Sequence, residues 1–294
     1  MYVDEWRRIN GIWLHFQDWP ALRSESRGLS DGPETALLLH GLTQQSHAFD
    51  DVAARLIRHH RCLALDFRGR GESGWADGTY VIPQYVADVL ALLDALGLGA
   101  VHVVGTSLGG LVGLSLASVA PERLRSLVLN DIGPEIDPSG AARIAAYAGS
   151  VPERFADFDA AVSWALTQYA WRTGLPAETV TEAIRWAVRR APGGGWRLKF
   201  DPAIGRAPRP TPATARAAAT TWWAALEALR CPILTVRGAQ SDILSREIAA
   251  AMAARQPRLR HVEVESVGHA PTLSEPAVVA ALDALYNEAP PEPR

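Results

Sequence analysis

The chain has 294 residues, of which 48% are hydrophobic and 21% charged, with a formal net charge of −3. That balance suits a globular protein with a sizeable core, and the scattering of arginines among acidic residues excludes the basic surface that nucleic acid requires. Apolar runs such as residues 36–39 and 101–104 fall far short of the roughly 20 residues of a spanning helix, and the N-terminus lacks a basic and apolar leader. No membrane partner is therefore expected, and cytoplasmic residence is the default.

In chain order, residues 9–16 read as two short strands joined by an Asn10-Gly11 turn, an antiparallel edge. A polar stretch follows over 24–33, then a buried strand over 35–39 that ends in His40-Gly41-Leu42-Thr43. A helix is expected over 49–60, with Phe49, Val52, Ala53, Leu56 and Ile57 on one face. The strand 62–66 runs into Phe67-Arg68-Gly69-Arg70-Gly71-Glu72-Ser73, where Asp66 and Arg68 are expected to tie the loop together. A helix over 86–96 ends at Gly97, and the next strand, 100–104, gives way to Gly105-Thr106-Ser107-Leu108-Gly109. Another helix runs from there towards Pro121, and the strand 127–131 ends in Asn130-Asp131. Cys62 and Cys231 have no C-x-x-C spacing and read as buried small hydrophobes.

From 135 to 230 the patterns are helical, with no convincing strand, and are interrupted by Pro152, Pro176, Pro192 and Gly193-Gly194-Gly195. This segment reads as an inserted helical lid. It holds six of the ten tryptophans, which either pack lid helices onto the core or line an apolar pocket. The sheet resumes at 232–238, followed by Ser241-Asp242, a helix over 246–254, a strand over 261–264, His269 and a closing helix over 276–286. The expected organisation is a core of 1–134 and 231–288, a lid of 135–230 and a disordered tail of 289–294. Alternating strands and helices imply an α/β fold with a mostly parallel central sheet flanked by helices, whose site lies at the carboxyl ends of the strands.

A serine in a tight turn between strand and helix presents its hydroxyl above the sheet, and flanking glycines let other backbone pass close by. Serine is a weak nucleophile at neutral pH, so it needs a base and the base needs an acid to fix its tautomer. Ser107, Asp242 and His269 occur in the chain order of nucleophile-elbow hydrolases, each after a strand. Asp131 is the rival acid, because it ends the strand beside that of Ser107 and could reach the same histidine. The backbone N–H of Leu108 and of Leu42 are the expected oxyanion donors, and His40 braces the Leu42 loop. His47, His59, His60, His102 and His261 read as surface or structural histidines, and no metal-ligand spacing is visible.

With these motifs assembled, the chain resembles the α/β-hydrolase fold superfamily, from His40-Gly41-Leu42 through Gly105-Thr106-Ser107-Leu108-Gly109 to Asp242 and His269. The resemblance implies a nucleophilic Ser107, a general base His269, an acid Asp242 and an oxyanion hole from Leu42 and Leu108, with no cofactor. Members with a similar lid include carboxylesterases, enol-lactone hydrolases and carbon-carbon bond hydrolases. The expected activity is hydrolysis of a small ester or lactone with a hydrophobic or aromatic part, by a monomer or homodimer. Trp164 and Trp171 are the candidate pocket walls. The alternative is carbon-carbon hydrolysis of a diketo acid, with Arg143 or Arg172 holding the carboxylate, although Ala270-Pro271 stands where such enzymes often place a tryptophan. A ligand receptor of low turnover, or a cofactor-free proton-transfer protein or oxygenase, would keep the same fold.

Overall fold

The structure is a computed structural model, and it describes residues 1–22, 33–76, 80–168, 176–207 and 210–286. The expected tail at 289–294, Trp171 and Arg172 lie outside these residues. Strands β1 (Val3–Ile9) and β2 (Ile12–Trp19) form a hairpin, longer than the sequence suggests. Its turn, Asn10-Gly11, has φ of 47° and 85°, the left-handed pair that matches the twist of a two-residue hairpin.

The first half continues with β3 (Thr35–Leu39), a 3-10 turn and α1 (Asp50–Leu56), then β4 (Arg61–Leu65) and α2 (Ile82–Ala95). Next come β5 (Val101–Thr106), α3 (Leu108–Val119) and β6 (Leu124–Asn130). The sheet ends with β9 (Ile233–Gly238), α9 (Arg246–Arg255), β10 (Leu259–Val264) and α10 (Pro276–Tyr286). Between β6 and β9 lie α4 (Pro138–Gly149), α5 (Phe158–Gln168), α6 (Ala177–Ala187), strands β7 (Val188–Arg190) and β8 (Trp196–Leu198), α7 (Pro202–Gly205) and α8 (Pro212–Ala228). The β7–β8 hairpin corrects the strand-free reading of this segment. Its strands are too short for a periodic signal, and the three glycines between them, all at positive φ, make its turn.

Eight strands form one sheet in the order β1-β2-β4-β3-β5-β6-β9-β10, parallel except at the β1–β2 and β2–β4 pairings. Successive side chains along a strand face opposite sides, and the core divides accordingly. Leu37, Leu39 and Val103 pack with α2 and α3 on one side, while Ala36, Leu38 and Val104 pack with α1 and α10 on the other. Both faces are covered, which is why β3 and β5 read as unbroken apolar runs and are fully buried. Trp222 and Trp223 fasten α8 to this core, donating to Ser115 Oγ at 2.8 Å and to Glu135 Oε1 at 2.7 Å. Among the described residues no helix is long and apolar enough to cross a membrane.

Candidate active site

Ser107 stands between β5 and α3 at φ 52° and ψ −111°, a conformation that a side chain adopts only when its surroundings hold it there. Its backbone N–H is anchored to Asn130 O at 3.0 Å on the neighbouring strand. Close passage of the chain explains the glycines. A Cβ on Gly109 would lie 1.9 Å from Leu39 O, and one on Gly105 would lie 2.5 Å from the Gly109 carbonyl.

Three strands along the sheet from β5, the loop after β10 brings His269 over the serine. Its Nε2 lies 2.9 Å from Ser107 Oγ and its Nδ1 lies 2.7 Å from Asp131 Oδ2. A carboxylate can only accept, so Nδ1 carries the proton and Nε2 is left to accept from the serine hydroxyl. Asp131 is fully buried at φ 55°, directly after β6, and is itself held by several donors. Gly238 N–H donates to its Oδ1 at 2.9 Å, and Ser241 Oγ donates to its Oδ2 at 2.5 Å.

Asp242, the acid expected from chain order, is placed elsewhere. Arg143 of α4 donates to it from Nε at 2.5 Å and from Nη2, so its carboxylate faces α4 and not the imidazole. The physical reason lies in the backbone: Gly140 packs directly against Asp242 O, and Asp137 N–H donates to Ile243 O at 3.0 Å, which turns the rim of this loop towards α4. The residue of the loop that turns inward is Ser241. Sequence reasoning missed it because its side chain braces Asp131 and also caps Ile243 N–H and Leu244 N–H at 3.1 and 3.2 Å.

The cleft above Ser107 is bounded by Leu42, Thr43 and Gln44 after β3 and by Ile144 and Tyr147 of α4. Leu108 opens α3, so its N–H is among the unpaired amides at that helix start. The Leu42 loop is held from beneath: Gln44 Oε1 accepts from Gly41 N–H at 2.9 Å, and Leu42 O accepts from Arg70 Nε at 3.0 Å. Trp164 stacks on Tyr147 with ring centroids 5.8 Å apart, so it stands behind a wall of the cleft. Thr43 Oγ1 and Tyr147 OH, 3.1 Å apart, close one end. Thr43 closes the His40-Gly41-Leu42-Thr43 stretch, whereas Tyr147 lies in no sequence motif. A separate and larger cavity, between Trp75, Arg154, Arg197 and Phe200, shares no wall with this cleft.

His40 is wholly buried and braces the loop, as its position suggested. Its Nε2 accepts from Phe67 N–H at 3.1 Å, so Nδ1 carries the proton and donates to Gly41 O at 2.7 Å. Burial lowers its pKa from 6.5 to about 4, against the pull of the Asp66 carboxylate. Asp66 accepts from His15 Nδ1, Ser46 N–H and Glu72 N–H, which ties the loop after β4 together. Between pH 6.5 and about 4 the unfolded chain protonates a histidine that the folded chain keeps neutral. Stability from this group is therefore full above pH 6.5 and is lost as pH falls through that interval, by at most about 3 kcal/mol. Urea unfolding at pH 7 and pH 4.5 measures the loss, and His40→Gln, which keeps an acceptor for Phe67 N–H without the titration, is expected to flatten it.

Comparison with known proteins gives a consistent family. The family model described as alpha/beta hydrolase fold matches residues 36–276. Over 263 residues the chain is 39% identical to a 3-hydroxybutyrate-oligomer hydrolase of Cupriavidus necator, covering 87% of this chain and 89% of that one. It is 30% identical over 253 residues to an esterase of Mycobacterium tuberculosis, covering 82% of this chain and 78% of the relative. A solved alpha/beta hydrolase from Novosphingobium aromaticivorans superposes with a TM-score of 0.83 at 33% identity, over 97% of each chain.

Proposed function

The chain belongs to the alpha/beta hydrolase fold family, and from that premise we propose that it is a serine hydrolase of small carboxylic esters working through an acyl-enzyme on Ser107. The observation that carries this reading is the single imidazole bridging Ser107 Oγ and a buried carboxylate. In this reading His269 Nε2 takes the serine proton as Oγ attacks the ester carbonyl, and Asp131 steadies the imidazolium. Leu42 and Leu108 N–H receive the oxyanion. The imidazolium then protonates the departing alcohol, and a water activated by the same nitrogen hydrolyses the acyl-enzyme. Residues 135–230 act as a lid, with Ile144 and Tyr147 as its contribution to the cleft.

The substrate class we infer is a short aliphatic hydroxyacid ester, in the linear or the lactone form. Its support is the similarity, over nearly nine-tenths of the chain, to a hydrolase of 3-hydroxybutyrate oligomers. Tyr147 and Thr43 offer hydroxyls beside an apolar Ile144 and Leu42, a wall that suits alternating ester and methyl groups. Carbon-carbon hydrolysis loses one of its two expected carboxylate partners, since Arg143 is engaged by Asp242, while Arg172 lies outside the described residues. The test is a comparison of kcat/KM for 3-hydroxybutyrate dimer and trimer, p-nitrophenyl butyrate and a ring-fission diketo acid. Hydrolysis of the esters at least about 100-fold faster than carbon-carbon cleavage, a difference of about 2.7 kcal/mol, is expected. Preference for the diketo acid would overturn the reading, as would failure to turn over any ester.

A further inference from the structure

At the opposite end of the strands from Ser107, the amino ends of three adjacent parallel strands bring together Glu34, His60 and His102. Glu34 directly precedes β3, His60 directly precedes β4, and His102 is the second residue of β5. One potential ligand atom from each lies within 4.8 Å of the other two. Both imidazoles are more than nine-tenths buried and meet edge to face at 5.2 Å, with the Tyr286 ring packed against each at 4.9 and 5.0 Å. The three residues are far apart in sequence, so no motif spacing announces them.

We propose that Glu34, His60 and His102 form a binding site for a divalent transition metal of the zinc class. Two neutral imidazoles and one carboxylate are a donor set that such ions take in tetrahedral sites, with a water in the fourth position. The surroundings supply the outer partners such ligands need. His102 Nδ1 lies 2.8 Å from Ser126 Oγ, whose hydroxyl can accept, so the proton can reside there and Nε2 can turn its lone pair to the metal. That nitrogen now lies 2.9 Å from Glu34 Oε2, and the ion would replace this hydrogen bond. Arg125 holds the other Glu34 oxygen at 2.9 Å and orients the carboxylate. An ion here would fasten the starts of β3, β4 and β5 to one another, and its affinity would add to folding stability. The site has no part in the ester chemistry and stands or falls independently of it.

The probe is Co2+ added to EDTA-stripped protein, followed by its visible d–d absorption, with Zn2+ competition and thermal unfolding alongside. One Co2+ per chain with tetrahedral-type bands, displaced by Zn2+, is expected, together with a rise in Tm. His60→Ala and Glu34→Gln are expected to abolish the bands, and Ser126→Ala to weaken binding about tenfold. His269→Ala is expected to retain them, which separates this site from the serine-histidine pair. X-ray absorption of Zn-loaded wild type guards against variants that fail to fold, and two imidazoles with oxygen at about 2.0 to 2.1 Å is the expected shell. Absence of bands in the wild type, loss of bands in His269→Ala alone, or a shell with one imidazole would overturn the proposal.

Discussion

Asp131→Asn is expected to lower kcat for ester hydrolysis about 10⁴-fold, whereas Asp242→Asn is expected to change it by no more than about threefold. The difference comes from what each carboxylate touches. An amide at position 131 can donate to His269 Nδ1, which would leave the proton on Nε2 and remove the acceptor that Ser107 Oγ needs. Gly238 N–H would still donate to the remaining oxygen and Ser241 Oγ would turn to accept from the amide, so the new side chain stays held and the loss is one of tautomer and charge. Asp242 is paired with Arg143 in a part-exposed setting, where an ion pair is worth at most about 1 kcal/mol. Steady-state kinetics on p-nitrophenyl butyrate for the two variants measures both effects. Equal losses, or a larger one at Asp242, would move the acid to the loop after β9.

Arg68→Leu is expected to cost about 3 to 5 kcal/mol of stability, because it strands a buried carboxylate. Asp88 is 1% exposed, and Arg68 reaches it from Nε at 2.5 Å and from Nη2 at 2.8 Å. Asn10 and Gln84 also donate to Asp88, but neither brings the positive charge that compensates its desolvation. A fall in Tm of roughly 6 to 10 °C by calorimetry is the expected readout. The double variant Arg68→Leu with Asp88→Leu, which removes both charges, is expected to recover much of the loss. The consequence reaches the cleft, because the loop that Arg68 anchors also carries Arg70, which holds Leu42 O. Activity of Arg68→Leu should therefore fall at temperatures where the fold is still intact.

How much of this was legible in the sequence depends on the range of the interaction concerned. Runs such as 35–39 and 101–104 announce buried strands because both faces of the sheet are covered, and Ser107 between glycines announces a tight turn whose neighbours must approach closely. His269 could be placed at a strand end by counting elements. Which carboxylate meets His269 could not be resolved in this way, since Asp131 and Asp242 both follow strands. The choice depends on the Gly140 contact that turns residue 242 outward and on the Ser241 hydroxyl that turns inward.

The same limit applies to aromatic residues and to buried polar clusters. Trp164 is apolar and lies on a helix of the 135–230 segment, yet its ring is set behind Tyr147, a residue that no periodic pattern singled out. The β7–β8 hairpin escaped notice because three-residue strands carry too few side chains for an alternating pattern. Glu34, His60 and His102 come together through strand register, Thr35 beside Arg61 and Ala36 beside His102, which no local spacing encodes.

The most direct test of the central claim is intact-protein and peptide mass spectrometry after a fluorophosphonate ester, applied to the wild type, Asp242→Asn, Asp131→Asn and His269→Ala. The account predicts one adduct per chain on Ser107, formed at similar rates in the wild type and Asp242→Asn and at least about 100-fold more slowly in the other two. An adduct on another residue, or labelling of Ser107 that persists unchanged without His269 or Asp131, would contradict it.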